Sequence, residues 1–179
     1  MRSWILCAFL LFAGCKIDQS RPIQKDRLRF AVADDAELFF KNVRQIYYDV
    51  QTLPAASTTV YRHPDRMPDE AQPALWPAIV LSPLEDEAKI LIEHNEVLEN
   101  EAALRIAITI QKQTKDVVLT ARGRDQMLEF ATTIYEGIQQ NAIFAVYVGG
   151  EPIPWLANEE QRQAFRSTMA DFYRLTGAL

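Results

Sequence analysis

Two histidines, His63 and His94, are where chemistry would be sought first, because a general base working near neutral pH is most often an imidazole. His63 lies in "RHPDR", two residues before Asp65, close enough for the carboxylate to orient the ring or to share a divalent ion with a distant ligand. His94 lies in "IEHNEVLENE", where Glu93, Glu96, Glu99 and Glu101 supply oxygen ligands of the kind calcium takes. Neither context completes a site: no G-x-S-x-G elbow, no zinc-spaced second histidine and no D-x-[DN]-x-[DN]-G loop accompanies them. The simpler reading is a solvated turn set by Pro64 and an acidic turn between strands. The Asp34-Asp35 pair could hold a metal or share a proton, but Glu37 stands at capping-box spacing from Asp34 and a helix start accounts for the acids. Gly149-Gly150 would cradle a phosphate only by opening a helix; "GGEPIPW" runs into two prolines and predicts a turn. No catalytic residue, no metal ligand and no cofactor is assigned.

Aromatic residues are the better lead. Trp155 in "EPIPW" and Trp76 in "ALWPA" are flanked by prolines, which stiffen the backbone and could present an indole to a protein or glycan partner at low entropic cost. The alternative is that both rings plug the ends of the core, where large aromatics mostly reside. Tyr47, Tyr48 and Tyr61 share a predicted hairpin with one face outward, which makes Tyr61 a further binding candidate.

These residues need a scaffold. Arg27 to Ala33 alternates, with Leu28, Phe30 and Val32 on one face, as a half-buried strand would. Phe39, Val43, Ile46, Val50 and Leu53 keep helical spacing, yet "QIYYDV" is rich in strand formers and "LPAAS" can turn it back against "TTVYR". The assignment is a short helix from Asp35 to about Val43, then a hairpin, with Ile46 to Val50 open to either reading. His63 to Pro77 holds four prolines and no periodicity, so it reads as a loop. Strands follow at Ala78 to Ser82, Ala88 to Glu93, Leu104 to Gln111 and Val117 to Ala121, the last pair joined through "QTKD". Met127, Phe130, Ile134 and Ile138 then form a helical stripe from Asp125 to about Gln140. Phe144 to Val148 returns to strand, and Asn158 with Gln161 caps a last helix whose inward face is Phe165, Met169 and Phe172. The expected fold is a single α+β domain over residues 27 to 179, mainly antiparallel sheet with about three helices.

The N-terminus supplies an address. Trp4 to Ala13 is a run of ten apolar residues, about 15 Å of helix and half the ~30 Å needed to span a bilayer. Arg2 precedes it and two small residues, Ala13 and Gly14, follow, the order of a secretory signal peptide. Leu11-Phe12-Ala13-Gly14-Cys15 resembles the lipobox of bacterial lipoproteins, departing from its usual pattern at Phe12. The resemblance implies that residues 1 to 14 are removed and that Cys15 carries a diacylglyceryl group, with a further palmitate-class chain on the new amino terminus. Each buried methylene contributes about 0.8 kcal/mol, so two or three chains hold stably where one holds marginally. An interfacial helix would need a polar face that this run lacks, and ordinary signal cleavage would want a small residue where Phe12 stands. Lys16, rather than Asp, after the cysteine implies the outer membrane in a host that has one, with the domain in the periplasm or at the envelope surface. Residues 15 to 26 are polar, contain Pro22 and read as a lipidated tether.

The full chain has a formal net charge of −5, and residues 1 to 14 contribute only Arg2, so the mature body is more acidic still. Such a body is repelled by phosphate backbones, and no nucleic-acid partner is expected. Both cysteines, Cys7 and Cys15, fall in the N-terminal segment, which excludes disulfides, thiolate zinc sites and cysteine nucleophiles from the folded body. The functional expectation is a lipid-anchored envelope protein that binds or scaffolds an envelope protein or glycan without catalysis. The rival is an anchored hydrolase of an envelope polymer, using His63, Asp65 and the acids around His94.

Overall fold

The computed structural model describes residues 29–66 and 72–179. The expected signal peptide, Cys15, the expected tether and the first two residues of the expected opening strand lie outside the described residues, as does part of the loop before Trp76. Among the described residues, three α-helices and two four-stranded antiparallel sheets make the single α+β domain that the pattern predicted. No helix among the described residues is long and apolar enough to cross a membrane.

The first sheet has the order β1-β2-β3-β4, built from β1 (Asp49–Leu53), β2 (Thr58–Arg62), β3 (Leu75–Ser82) and β4 (Glu87–His94). Its core face carries Tyr61, Ile79 and Ile90 opposite one another. The second sheet has the order β6-β5-β7-β8, from β5 (Leu104–Ile110), β6 (Gln113–Leu119), β7 (Ile143–Val148) and β8 (Glu151–Trp155). Helices α2 (Arg124–Gln139) and α3 (Glu159–Leu175) pack on each other and on the sheets. Both predicted stripes point inward: Met127, Phe130, Ile134 and Ile138 on α2 and Phe165, Met169 and Phe172 on α3 are all buried. The Asn158 cap of α3 forms as read, its side-chain oxygen accepting from the Gln161 N–H at 2.8 Å.

Several local expectations are corrected. Residues 29–33 do not form a strand. Ala31 makes an isolated bridge to Glu87, with Val32 N–H donating to the Asp86 carbonyl and Ala88 N–H to that of Phe30. The Asp34 capping box is absent, because the helix begins one residue earlier than the box requires: Ala33 is the cap of α1 (Asp34–Phe39) and Asp34 is already helical. The loop assigned to His63–Pro77 ends early, since β3 starts at Leu75 and includes Trp76 and Pro77. "QTKD" is strand, not turn. Gln111 and Lys112 both adopt positive φ and close a two-residue hairpin, so Ile110 pairs with Gln113. Neither residue is a typical turn former, which is why the sequence concealed the turn. Gly149-Gly150 turns between β7 and β8 as expected, with φ of 58° and 91°.

Gly137 sets how closely α2 approaches the second sheet. A Cβ there would lie 2.9 Å from Phe144 Cζ and 3.2 Å from Ile108 Cγ2. Gly137→Ala is therefore expected to destabilise the domain by about 1–2 kcal/mol despite alanine's better helix propensity. Urea unfolding of the two proteins checks this, as a lower midpoint at unchanged slope.

Candidate functional site

The three aromatic candidates are inside the protein: for Trp155 and Trp76 the alternative of rings plugged into the core holds over presentation to a partner, and for Tyr61 the expected outward face is corrected. Trp155 is 4% exposed, wedged edge-on between Phe144 and Phe165 with ring centroids 6.0 and 6.3 Å away. Tyr61 is 3% exposed and meets Phe40 and Tyr48 edge-on. Trp76 is 8% exposed, and its indole N–H donates to Glu93 Oε2 at 2.8 Å. Pro152 and Pro154 before Trp155, and Pro77 after Trp76, stiffen strands that bury the two indoles. Of the tyrosine group, Tyr48 is buried with Tyr61, and only Tyr47 faces outward.

The histidines divide between two environments. His63 is half-buried, edge-on to Tyr48, its Nδ1 accepting the Asp65 N–H at 3.3 Å and lying 3.9 Å from the Asp65 carboxylate. His94 Nδ1 lies 3.0 Å from the Asn95 carbonyl, and its Nε2 lies 3.0 Å from an Arg122 terminal nitrogen. This fits a neutral ring protonated on Nδ1. Two of the neighbouring acids are engaged, Glu93 and Glu101, the latter accepting from the Gly149 N–H at 2.7 Å. Glu93 is clamped by Arg62 through Nε and Nη2 at 2.7 and 2.6 Å. Burial opposes ionisation there, yet the bonds from Arg62 and Trp76 hold Glu93 below the usual carboxylate range. Trp76, Glu93, Arg62, His94 and Arg122 share an open cleft of about 450 Å³ on the outer face of the first sheet. No group of three or more His, Cys, Asp or Glu suited to a metal occurs among the described residues.

A different surface stands out, one that the sequence reading did not single out as a binding candidate. Seven of the ten large apolar side chains left exposed among the described residues fall between Leu38 and Leu53: Leu38, Phe39, Val43, Ile46, Tyr47, Val50 and Leu53, with Ile46 the most open of the seven at 73%. The helical spacing of Phe39, Val43, Ile46, Val50 and Leu53 was legible, but Val50 and Leu53 belong to β1, and all five side chains are left exposed. The reason lies in how the segment is held. After α1 the backbone widens into a π turn, Phe40–Arg44, then tightens into a 3₁₀ turn, Gln45–Tyr47. That change of pitch lets Phe40 enter the core beside Tyr48 and Tyr61 while Arg44 reaches α3. There the buried Asp171 carboxylate accepts from Arg44 Nε at 2.9 and 3.0 Å, from the Tyr48 hydroxyl at 2.7 Å and from Arg174 at 2.8 Å. Burial pushes the Tyr48 phenol well above its ordinary value, and the Asp171 charge adds to the shift.

Beside this segment β1 is the open edge of the first sheet, exposed at all five residues. Comparison of the chain with protein-family models, with curated proteins and with solved structures finds no match. The site is therefore judged on its own geometry: an apolar segment fixed to α3 by a buried ion cluster and continuing into the edge strand β1, which is paired only with β2.

Two consequences can be measured. Asp171→Ala strips Arg44 and Tyr48 of their carboxylate and is expected to cost about 3–5 kcal/mol, with new proteolytic cuts confined to residues 29–48. Separately, burial holds the His63 imidazole below its ordinary value, more strongly than Asp65 raises it. The unfolded chain then takes up the proton first, so this contribution to stability is complete above about pH 6.5 and is lost as pH falls towards the folded value. In urea midpoints measured from pH 7.5 to 5, His63→Gln is expected to decline less steeply than the wild type.

Proposed function

We propose that the protein is a lipid-anchored component of the cell envelope, held through Cys15 and probing for partners from the outer membrane, whose α+β domain binds another protein chain without catalysis. The observation that carries this reading is the concentration of exposed apolar side chains between Leu38 and Leu53. Scattered exposed apolar residues are ordinary, but a strip gathered along one segment marks an interaction surface. The lipobox-like Leu11 to Cys15 supports the anchor. A tether of about a dozen residues reaches at most ~40 Å, which would keep the strip near the bilayer and the proteins embedded in it.

The test separates anchor from surface. Cys15→Ser is expected to move the protein from the membrane pellet to the soluble fraction and to abolish acyl mass in the native form; membrane retention with no acyl mass overturns the anchor. Ile46→Lys changes a side chain that makes little packing contribution, so the thermal midpoint should hold. Recovery of the bound protein from solubilised envelopes should drop at least about tenfold, the consequence of a loss near 1.4 kcal/mol. Equal recovery with both proteins overturns the docking surface.

A further inference from the structure

We infer that the partner on this surface is a second copy of the same chain, joined by antiparallel pairing of β1 with its symmetry mate across a two-fold axis at Gln51. The inference rests on the docking surface proposed above and names its occupant.

Edge protection is the first argument. Proteins blunt open strands with proline, lysine or a covering segment, because unpaired N–H and C=O groups invite another strand. Three of the four sheet edges here are blunted in those ways. β8 carries Pro152 and Pro154, β6 carries Lys115, and the start of β4 is covered by Phe30 to Val32. β1, "DVQTL", has no proline and no lysine. Its one charge, Asp49, is paired with Arg66 at 2.6 Å.

Register is the second. A two-fold axis at Gln51 sets Asp49 opposite the mate's Leu53 and Val50 opposite its Thr52, so no like charges face each other. The antiparallel run also brings the residues that precede β1 alongside those that follow it in the mate. Val43, Ile46 and Tyr47 are exposed and apolar on the one side; Leu53 and the exposed Pro54-Ala55-Ala56 turn are apolar on the other. Each end of the segment thus meets its complement, which is what an isologous contact requires.

Area is the third. Taking roughly 200 Å² for a fully exposed large side chain, the exposed fractions of the seven residues amount to on the order of 700 Å² per copy. A specific interface needs about 800 Å² per partner, and the paired backbones of β1 contribute the remainder.

The folded body lacks cysteine, which makes the register directly testable in the full chain in its own membranes. With a short bis-maleimide, Gln51→Cys is expected to convert most of the protein to a crosslinked dimer, while the wild type and Thr114→Cys on the opposite sheet remain uncrosslinked. Val50→Lys/Thr52→Lys should remove the dimer in size-exclusion light scattering, because lysines would face lysines. Val50→Lys/Thr52→Glu should retain it, because opposite charges would face each other; both doubles alter exposed positions, and their thermal midpoints serve as folding controls. If Gln51→Cys does not crosslink but Ile46→Lys still releases a co-purifying protein, self-pairing is wrong and the strip binds a different chain. If the two charge doubles behave alike, the register is wrong.

Discussion

The architecture hinges on one buried carboxylate. Asp171 is 2% exposed on α3, and an ionised group there is tolerable only when its charge is matched and its lone pairs are filled. Arg44, Tyr48 and Arg174 do both. Two of the three come from a segment more than 120 residues away in sequence, so the cluster fixes where the stretch around Arg44 and Tyr48 lies. Replacing such a cluster by apolar residues is often no worse for stability. Its contribution here is geometric, because it fixes one placement of the segment among those that burial alone would permit.

That placement has a consequence for the surface. Phe40 and Tyr48 go inward beside Tyr61, and Arg44 goes to α3, so the inward side of the segment is fully used by one aromatic cluster and one ion cluster. Phe40 and Arg44 are the first and last residues of the π turn, and Tyr48 touches both destinations, packing on Phe40 and donating to Asp171. Everything apolar that remains between Leu38 and Leu53 is left facing water, directly beside the one sheet edge without a guard. Surface and edge are thus products of a single constraint.

The first sheet carries its polar chemistry on the other side. Glu93 ties Arg62 and Trp76 together, Arg62 also donates to Gln51, and Arg66 holds Asp49 at the start of β1. The arginines of the cleft therefore bracket β1 and keep its outer face extended and ordered. A strand kept straight and single-valued in this way loses little further freedom on pairing, which favours association.

The sequence by itself determined the class of fold. It placed the stripes of α2 and α3, the Asn158 cap, the glycine turn and the helix-then-hairpin order after residue 34, because these depend on spacings of two to four residues that any reader of the chain can see. It also identified a lipobox-like N-terminus, a reading that concerns residues outside the described structure. Only the tertiary structure decided which aromatics are hidden, that "QTKD" belongs to a strand, and that the spacing of Phe39, Val43 and Ile46 marks a surface and not a core. Periodicity reports that apolar residues share a face; it carries no sign for inward or outward. That sign was set by a charge on α3, far along the chain, whose need for partners no local pattern expresses.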